Sequence, residues 1–174
     1  MSPTFPKMIA TDKPNPAGVD WSSKSLVLGS DHAGFETKEW LKERLVSWGA
    51  RVLDLGSYSP ESVDYPLVAR ELALRVASDQ DGAMGLLLCG SGNGVCMSAN
   101  RVPGARAALC WLPELASLAR AHNNANILCL PARFVQPEEA MAMVHAFAFA
   151  EFEGGRHQRR VDLIDPSSTA LSPA

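Results

Sequence analysis

The sequence predicts an α/β fold built on a parallel sheet with helices on both faces. Three observations predict it. From Ser25 onward, short apolar runs alternate with segments whose apolar residues recur at helical spacing. The connections between them are short, as in βαβ units. One run, MGLLLC (84–89), is apolar throughout, as expected of a strand covered on both faces.

The elements follow in order. LVLGS (26–30) is a short apolar run that ends in turn residues. Phe35, Trp40, Leu41, Leu45 and Trp48 then fall at roughly helical spacing with Lys and Glu between them, and Gly49 closes that helix. RVLDLG (51–56) alternates as a second strand, and SYSPESVDYP follows as a loop. Pro66 suits the first turn of a helix that runs to about Ala77. After the strand 84–89 comes the glycine loop GSGNG (90–94) and a helix near Val95–Asn100. ARAALC (105–110) is a fourth strand, Pro113 opens a helix to His122, and ANILCL (125–130) is a fifth strand. Pro137 opens a long helix from Glu138 to about Phe152, with Met141, Val144, Phe147 and Ala148 on one face. Phe147, Phe149 and Phe152 fit either core packing or a contact between copies. The basic segment GGRHQRR (154–160) comes next, and VDLID reads as a final helical turn.

The domain expected from this pattern is 24–165. Residues 1–23 carry four prolines and few periodic apolar positions, so they read as a poorly ordered extension; 166–174 read as a disordered tail. The start lacks the apolar core of a secretory signal, and no segment is apolar for long enough to span a membrane. A net charge of -3 gives no global pull toward nucleic acid or an anionic membrane. Cys89, Cys96, Cys110 and Cys129 form no paired CxxC motifs, so neither a zinc framework nor any other metal or cofactor is expected. Buried thiols in a reducing cytoplasm are the default reading, so a cytoplasmic location is expected.

In such sheets ligands bind at the carboxyl ends of the strands. The glycine loop CGSGNG lies at one such end and opens a helix. Its backbone N–H groups could turn toward an anion, although a plain strand–helix turn is the simpler reading. Asp31 and His32 end the first strand and suit a hydroxylated, anionic ligand; Asp31 could equally cap the helix that follows. His122 and Asn123 end a helix, where capping is again the plainer role. Arg156 and Arg160 share a side if their segment is helical, and two guanidiniums make a phosphate clamp as readily as a solvated tail. Cys89 ends a buried strand beside the loop that would hold an anion, and the same N–H groups would favour its thiolate. A core cysteine is the commoner role for such a residue. Cys96, Cys110 and Cys129 fit that role better.

Taken together, GSDHAGFETK (29–38), DYP (64–66), LLLCGSGNGVCMSANR (86–101), RAHNNAN (120–126) and EGGRHQRR (153–160) resemble the type B ribose-5-phosphate isomerase family, which also includes galactose-6-phosphate isomerase subunits. The resemblance runs from about Ser25 to Asp165. It implies a flavodoxin/Rossmann-like, three-layer, doubly wound parallel sheet and a homodimer, or a tetramer, with active sites at subunit interfaces. It implies interconversion of D-ribose 5-phosphate and D-ribulose 5-phosphate in the pentose phosphate pathway, with no cofactor, no nucleic acid and no membrane partner. It also implies roles. Cys89 is the base between C1 and C2, and Ser91 assists exchange between the substrate oxygens. The loop Gly90, Ser91, Gly92, Asn93, Gly94, helped by Asn100, stabilises the enediolate. His122 and Asp31 open the furanose ring. His32, Arg133, Arg156 and Arg160 hold the phosphate, and Tyr65 and Asn123 line the sugar. Members that lack a strand-end Cys use a Glu where this chain has Val95, so the chain resembles the cysteine-dependent branch.

The residue types fit that chemistry. Aldose–ketose exchange needs a base active near neutral pH, donors aimed at a developing oxyanion, and a remote handle for positioning. Three alternatives stand beside it: an isomerase of a tetrose or hexose phosphate, a non-catalytic phosphosugar-binding module on the same fold, and a redox protein using Cys89 and Cys96. A mere binder would need only the phosphate clamp, not Cys89, Ser91, His122 and Asp31 together. Six residues lie between Cys89 and Cys96, which is no CxxC spacing.

Overall fold

A computed structural model describes residues 15, 18–79 and 82–164. The strands are β1 (Ser25–Ser30), β2 (Arg51–Asp54), β3 (Met84–Cys89), β4 (Ala107–Leu109) and β5 (Ile127–Pro131). The helices are α1 (Phe35–Ser47), α2 (Tyr65–Ser78), α3 (Asn93–Ala99), α4 (Pro113–Asn123), α5 (Pro137–Phe149) and α6 (Arg156–Ile164). All strand pairs are parallel, in the order β2-β1-β3-β5-β4. The expected three-layer, doubly wound sheet is present. A flavodoxin-like sheet runs 2-1-3-4-5; here the last two strands are exchanged.

Burial explains the layers. All six residues of β3 are buried, so apolar side chains feed both faces of the central strand. On one face Val27, Leu87, Ile127 and Cys129 pack with Leu72, Ala73 and Val76 of α2 and Val95 and Ala99 of α3. On the other, Leu28, Leu86, Leu88 and Leu130 pack with Leu41 and Leu45 of α1, Ala116 of α4, and Met143, Val144 and Phe147 of α5. The apolar face of α5 therefore serves the core. That helix ends at Phe149 rather than near Phe152, and Phe149 packs edge-on against Trp21 at 4.9 Å. Proline opens α4 and α5 as expected, and Glu139 completes a capping box by accepting from the Gln136 N–H at 2.7 Å.

The packed chain begins earlier than residue 24. Trp21 is 1% exposed and meets Trp48 at 6.0 Å. Most of the two terminal segments expected to be poorly ordered (1–14, 16, 17 and 166–174) lies outside the described residues, as does residue 165. Trp21→Ala should destabilise the protein by about 3–5 kcal/mol, the usual cost of emptying a buried tryptophan site. Urea unfolding measures it, and a loss below about 1 kcal/mol would show that the indole covers the core without supporting it.

A buried lysine fixes the loop beyond β2. Lys38 Nζ, with no side-chain exposure, lies 2.6 Å from Asp54 Oδ1, and Lys42 Nζ lies 2.6 Å from Oδ2. Asp54 Oδ1 also accepts from the Gly56 N–H at 3.0 Å. The Lys38 and Lys42 ammonium groups and that N–H hold Asp54 below the usual carboxylate range, although burial opposes them.

Candidate active site

The strand order reverses between β1 and β3, and a crevice opens there at the carboxyl ends. A cleft of about 430 Å³ occupies it, lined by Asp31, Tyr65, Cys89, Gly90, Ser91, Gly94, Arg133 and Phe134. Each arrives because a strand or loop ends there. Asp31 and Cys89 leave the ends of β1 and β3. Arg133 and Phe134 follow β5, where Arg133 N–H donates to the Gly90 carbonyl at 3.1 Å. Tyr65 is the first residue of α2.

The glycine loop has the geometry of a nest. Gly92 sits at φ +74, in the left-handed region, and a Cβ there would collide with Leu109. Its N–H donates to Cys89 Sγ at 3.2 Å. The first N–H groups of α3 follow directly, and the first turn of a helix has no internal partners for them. Gly94 allows close approach of Tyr65, since a Cβ at Gly94 would lie 2.5 Å from the ring. The Arg133 side chain lies over Gly90, 3.4 Å from the Cβ position. Ser91 and Asn93 are exposed, and Asn93 N–H points to Ser91 Oγ at 3.4 Å.

Asp31 is not the N-cap of α1, which is Gly34; it braces the turn just before that helix. It is 7% exposed, and its Oδ1 accepts from the N–H groups of Ala33 and Gly34 at 2.9 and 3.0 Å. That fixes the entry to α1 while the carboxylate still lines the cleft. His32 is half-buried beside it, and its Nδ1 is buried with no partner among the described residues. Val95 is fully buried in apolar surroundings.

Asn100 is placed differently from the expectation. Its amide Nδ2 donates to the Ala107 carbonyl at 2.8 Å, and its Oδ1 accepts from the Ala107 N–H at 2.9 Å. Both ends of the amide thus join α3 to β4, one helix length from the loop that Asn100 was expected to assist.

One chain also keeps four expected residues away from Cys89. His122 and Asn123 end α4, which runs back to the amino end of β5. Glu153 N–H donates to the Ala121 carbonyl at 3.0 Å, and α6 packs on α4, so Arg156 and Arg160 gather at the same end. β3 and β5 separate this end from Cys89 by roughly 15 Å, at about 3.3 Å per residue. Arg156 and Arg160 are helical and exposed, as the four-residue spacing requires of a clamp. Sequence reasoning missed Phe134 on the cleft rim, and it saw His157 only as part of a basic run. No local signal marks Phe134, which is 74% exposed.

Three of the thiols are shifted from their ordinary range. A hydrogen bond with Cys129, helped by the Leu109 backbone and the Asn100 amide, brings the Cys96 thiol down to about 7 against the effect of burial. Burial, then the neighbouring Cys96, pushes Cys110 up to about 11. Burial also raises Cys129. Cys96 is half-buried and is not the inert core residue expected. Among the described residues, one group could hold a metal ion: His122, Glu153 and His157, with ligand atoms within 4.8 Å of one another. The Arg156 guanidinium already occupies His157 Nε2 at 3.3 Å, which disfavours a cation there.

Among the described residues, no helix is long and apolar enough to cross a membrane. The ribose/galactose isomerase family matches residues 26–164. A probable ribose-5-phosphate isomerase B of Mycoplasma genitalium is 46% identical over 143 residues, covering 82% of this chain and 94% of the relative. The ribose-5-phosphate isomerase B of Escherichia coli K12 is 43% identical, covering 81% of this chain and 94% of the relative. A crystal structure of a ribose 5-phosphate isomerase from Thermotoga maritima superposes with a TM-score of 0.80 at 47% identity, covering 83% of this chain and 99% of the other. The Mycoplasma genitalium enzyme with bound ribulose 5-phosphate superposes with a TM-score of 0.77 at 45% identity, covering 82% and 94%.

Proposed function

This chain belongs to the ribose/galactose isomerase family, and we propose that it interconverts D-ribose 5-phosphate and D-ribulose 5-phosphate, an exchange of the pentose phosphate pathway. The observation that carries the reading is the Cys89 thiol at the head of the cleft, with the Gly92 N–H on its sulfur and the glycine nest beside it.

The chemistry follows from that placement. The furanose must open first. The C1–O4 bond breaks, a proton leaves O1, and O4 gains one; His122 and Asp31 carry this step. Cys89 as thiolate takes the proton from C2 of the aldose. The negative charge gathers on O1, where the N–H groups of the glycine loop receive it. Ser91 passes a proton between O1 and O2, and the thiol returns its proton to C1, which gives the ketose. Val95 offers no base, so the proton transfer falls to Cys89. His32, Arg133, Arg156 and Arg160 hold the phosphate, whose binding energy positions the reacting carbons. Tyr65 and Asn123 line the sugar.

A cytoplasmic homodimer is part of this reading. Cys89 and His122 lie at opposite ends of one sheet, so a complete site needs the His122 end of a second copy against the Cys89 cleft of the first. Exposed Leu67, Met97, Trp111 and Phe134 supply apolar surface for such a contact. The test of the function is an assay of the pure protein against four-, five- and six-carbon aldose phosphates. Turnover should be fastest with ribose 5-phosphate; a clear preference for a tetrose or hexose phosphate would overturn the substrate assignment.

Two further results are expected. Arg156→Ala and Arg160→Ala should act mainly on KM, since each removes a charge-assisted contact of about 1.5–3 kcal/mol to a group that does not react. Wild-type KM in both variants would make α6 a solvated surface helix. Exhaustive chelation should leave turnover unchanged, because every step above uses protein groups alone. Activity lost in EDTA and restored by a divalent ion would contradict the mechanism.

A further inference from the structure

His157 is the buried residue within the exposed basic run of α6. It is 6% exposed, and with Val161 it forms the inward face of α6, while Arg156, Arg159 and Arg160 face outward. Its imidazole lies flat on that of His122, with ring centroids 4.2 Å apart and planes 6° from parallel. Its Nε2 accepts from the Arg156 Nε–H at 3.3 Å. A guanidinium can only donate, so it is the neutral ring, with a lone pair on Nε2, that makes this contact. Burial, followed by the His122 and Arg156 charges, lowers its basicity, and Glu153 opposes them. The Glu153 carboxylate lies 3.6 Å from His122 Nε2 and 3.5 Å from His157 Nε2.

We propose that His157 is a positioning residue that couples the two tasks of this end of the chain: its ring face orients His122 for ring opening, and its Nε2 holds Arg156 for the phosphate. The inference rests on the ring-opening role given to His122 above. A partly exposed imidazole otherwise turns freely about its last side-chain torsion. A flat, buried neighbour parallel to it removes that freedom. Arg156, at the exposed first turn of α6, would also sample many rotamers, and one directional acceptor restricts it. One side chain therefore fixes the spacing between the group that opens the sugar ring and a group that holds the phosphate.

Two substitutions separate the tasks. His157→Gln keeps an acceptor for Arg156 and loses the ring face. His157→Phe keeps the ring face and loses the acceptor. Both are made in the Cys89→Ala background, where isomerisation is blocked and ring opening and reclosure still exchange the two furanose anomers of ribose 5-phosphate. Exchange is read by NMR, affinity for ribose 5-phosphate by calorimetry, and folding by melting temperature. His157→Gln should slow anomer exchange about 10- to 100-fold, the scale of a small misplacement of a reacting group, with affinity retained. His157→Phe should weaken affinity about tenfold, the scale of one lost charge-assisted contact, and leave exchange at saturation within about twofold. If both variants behave as the parent, or lose both properties in parallel with a fall in melting temperature, the positioning role is wrong. His122→Ala in the same background should abolish exchange. If it does not, the ring-opening role of His122 falls and the orienting role of His157 falls with it. If it does, and His157→Gln still exchanges at the parent rate, the positioning inference alone is overturned.

Discussion

Cys89→Ala is expected to lower kcat by about 10³–10⁴-fold, the upper range for removal of a general base. Neither of the two nearest candidates on α3 can replace it. Val95 is apolar and buried, and Cys96 turns toward the β4 edge, where its Sγ lies 3.4 Å from the Ala107 carbonyl oxygen. The substitution removes one small side chain that is 5% exposed, so fold and phosphate binding should persist. Affinity for ribose 5-phosphate near the wild-type value, together with lost turnover, separates chemistry from structure. Alkylation must also account for Cys96, which is half-buried and whose thiol is brought down to about 7, so it offers a second reactive thiolate at neutral pH. In a Cys96→Ser background, a small alkylating agent should still inactivate the enzyme, and bound substrate should protect it. Retained turnover after complete modification of Cys89 would remove the thiol from the mechanism.

The second large effect concerns the division of the site between two chains. Cys89→Ala and His122→Ala homodimers should each be nearly inactive. After the two are mixed, dissociated and allowed to reassociate, a heterodimer carries one site with an intact Cys89 and an intact His122, and one site with neither. Random pairing in a two-fold dimer then restores about a quarter of wild-type activity. The expectation follows from position alone: Cys89 ends β3, whereas His122 ends α4 at the amino end of β5. Activity that stays at the level of the separate variants after verified exchange would mean that each site is built from one chain.

The alternation of strands and helices was legible because its signals are local. An unbroken apolar β3 and prolines at the starts of α4 and α5 each report their own neighbourhood. Strand order was not legible in this way. The exchange of β4 and β5 depends on which edge the fourth strand joins, and a three-residue strand carries no pattern that records it. Trp21 was missed because the periodic signal begins only at Ser25, while a single tryptophan can close a core from an irregular segment. The gathering of Asp31, Cys89, Ser91 and the loop glycines at one crevice was readable because strand ends and glycine loops carry their own grammar. Asn100 misled, since adjacency to the motif along α3 places it a helix length away, bound to Ala107. His157 was hidden within a run of charges because burial of one residue in five is a property of the helix face, which appears only once α6 is docked on α4.

The central claim is that Cys89 moves a proton at C2 of ribose 5-phosphate through an enediolate. The most direct test is to incubate the protein with ribose 5-phosphate in deuterated water and follow the C2 proton by NMR together with formation of ribulose 5-phosphate. Wild-type protein should exchange that proton with solvent as the ketose forms, and Cys89→Ala should do neither at a measurable rate while still binding the substrate. Exchange by Cys89→Ala at near the wild-type rate would assign the base to another residue, and ketose formation by the wild type with no solvent deuterium at C1 or C2 would contradict proton transfer through an exchanging thiol.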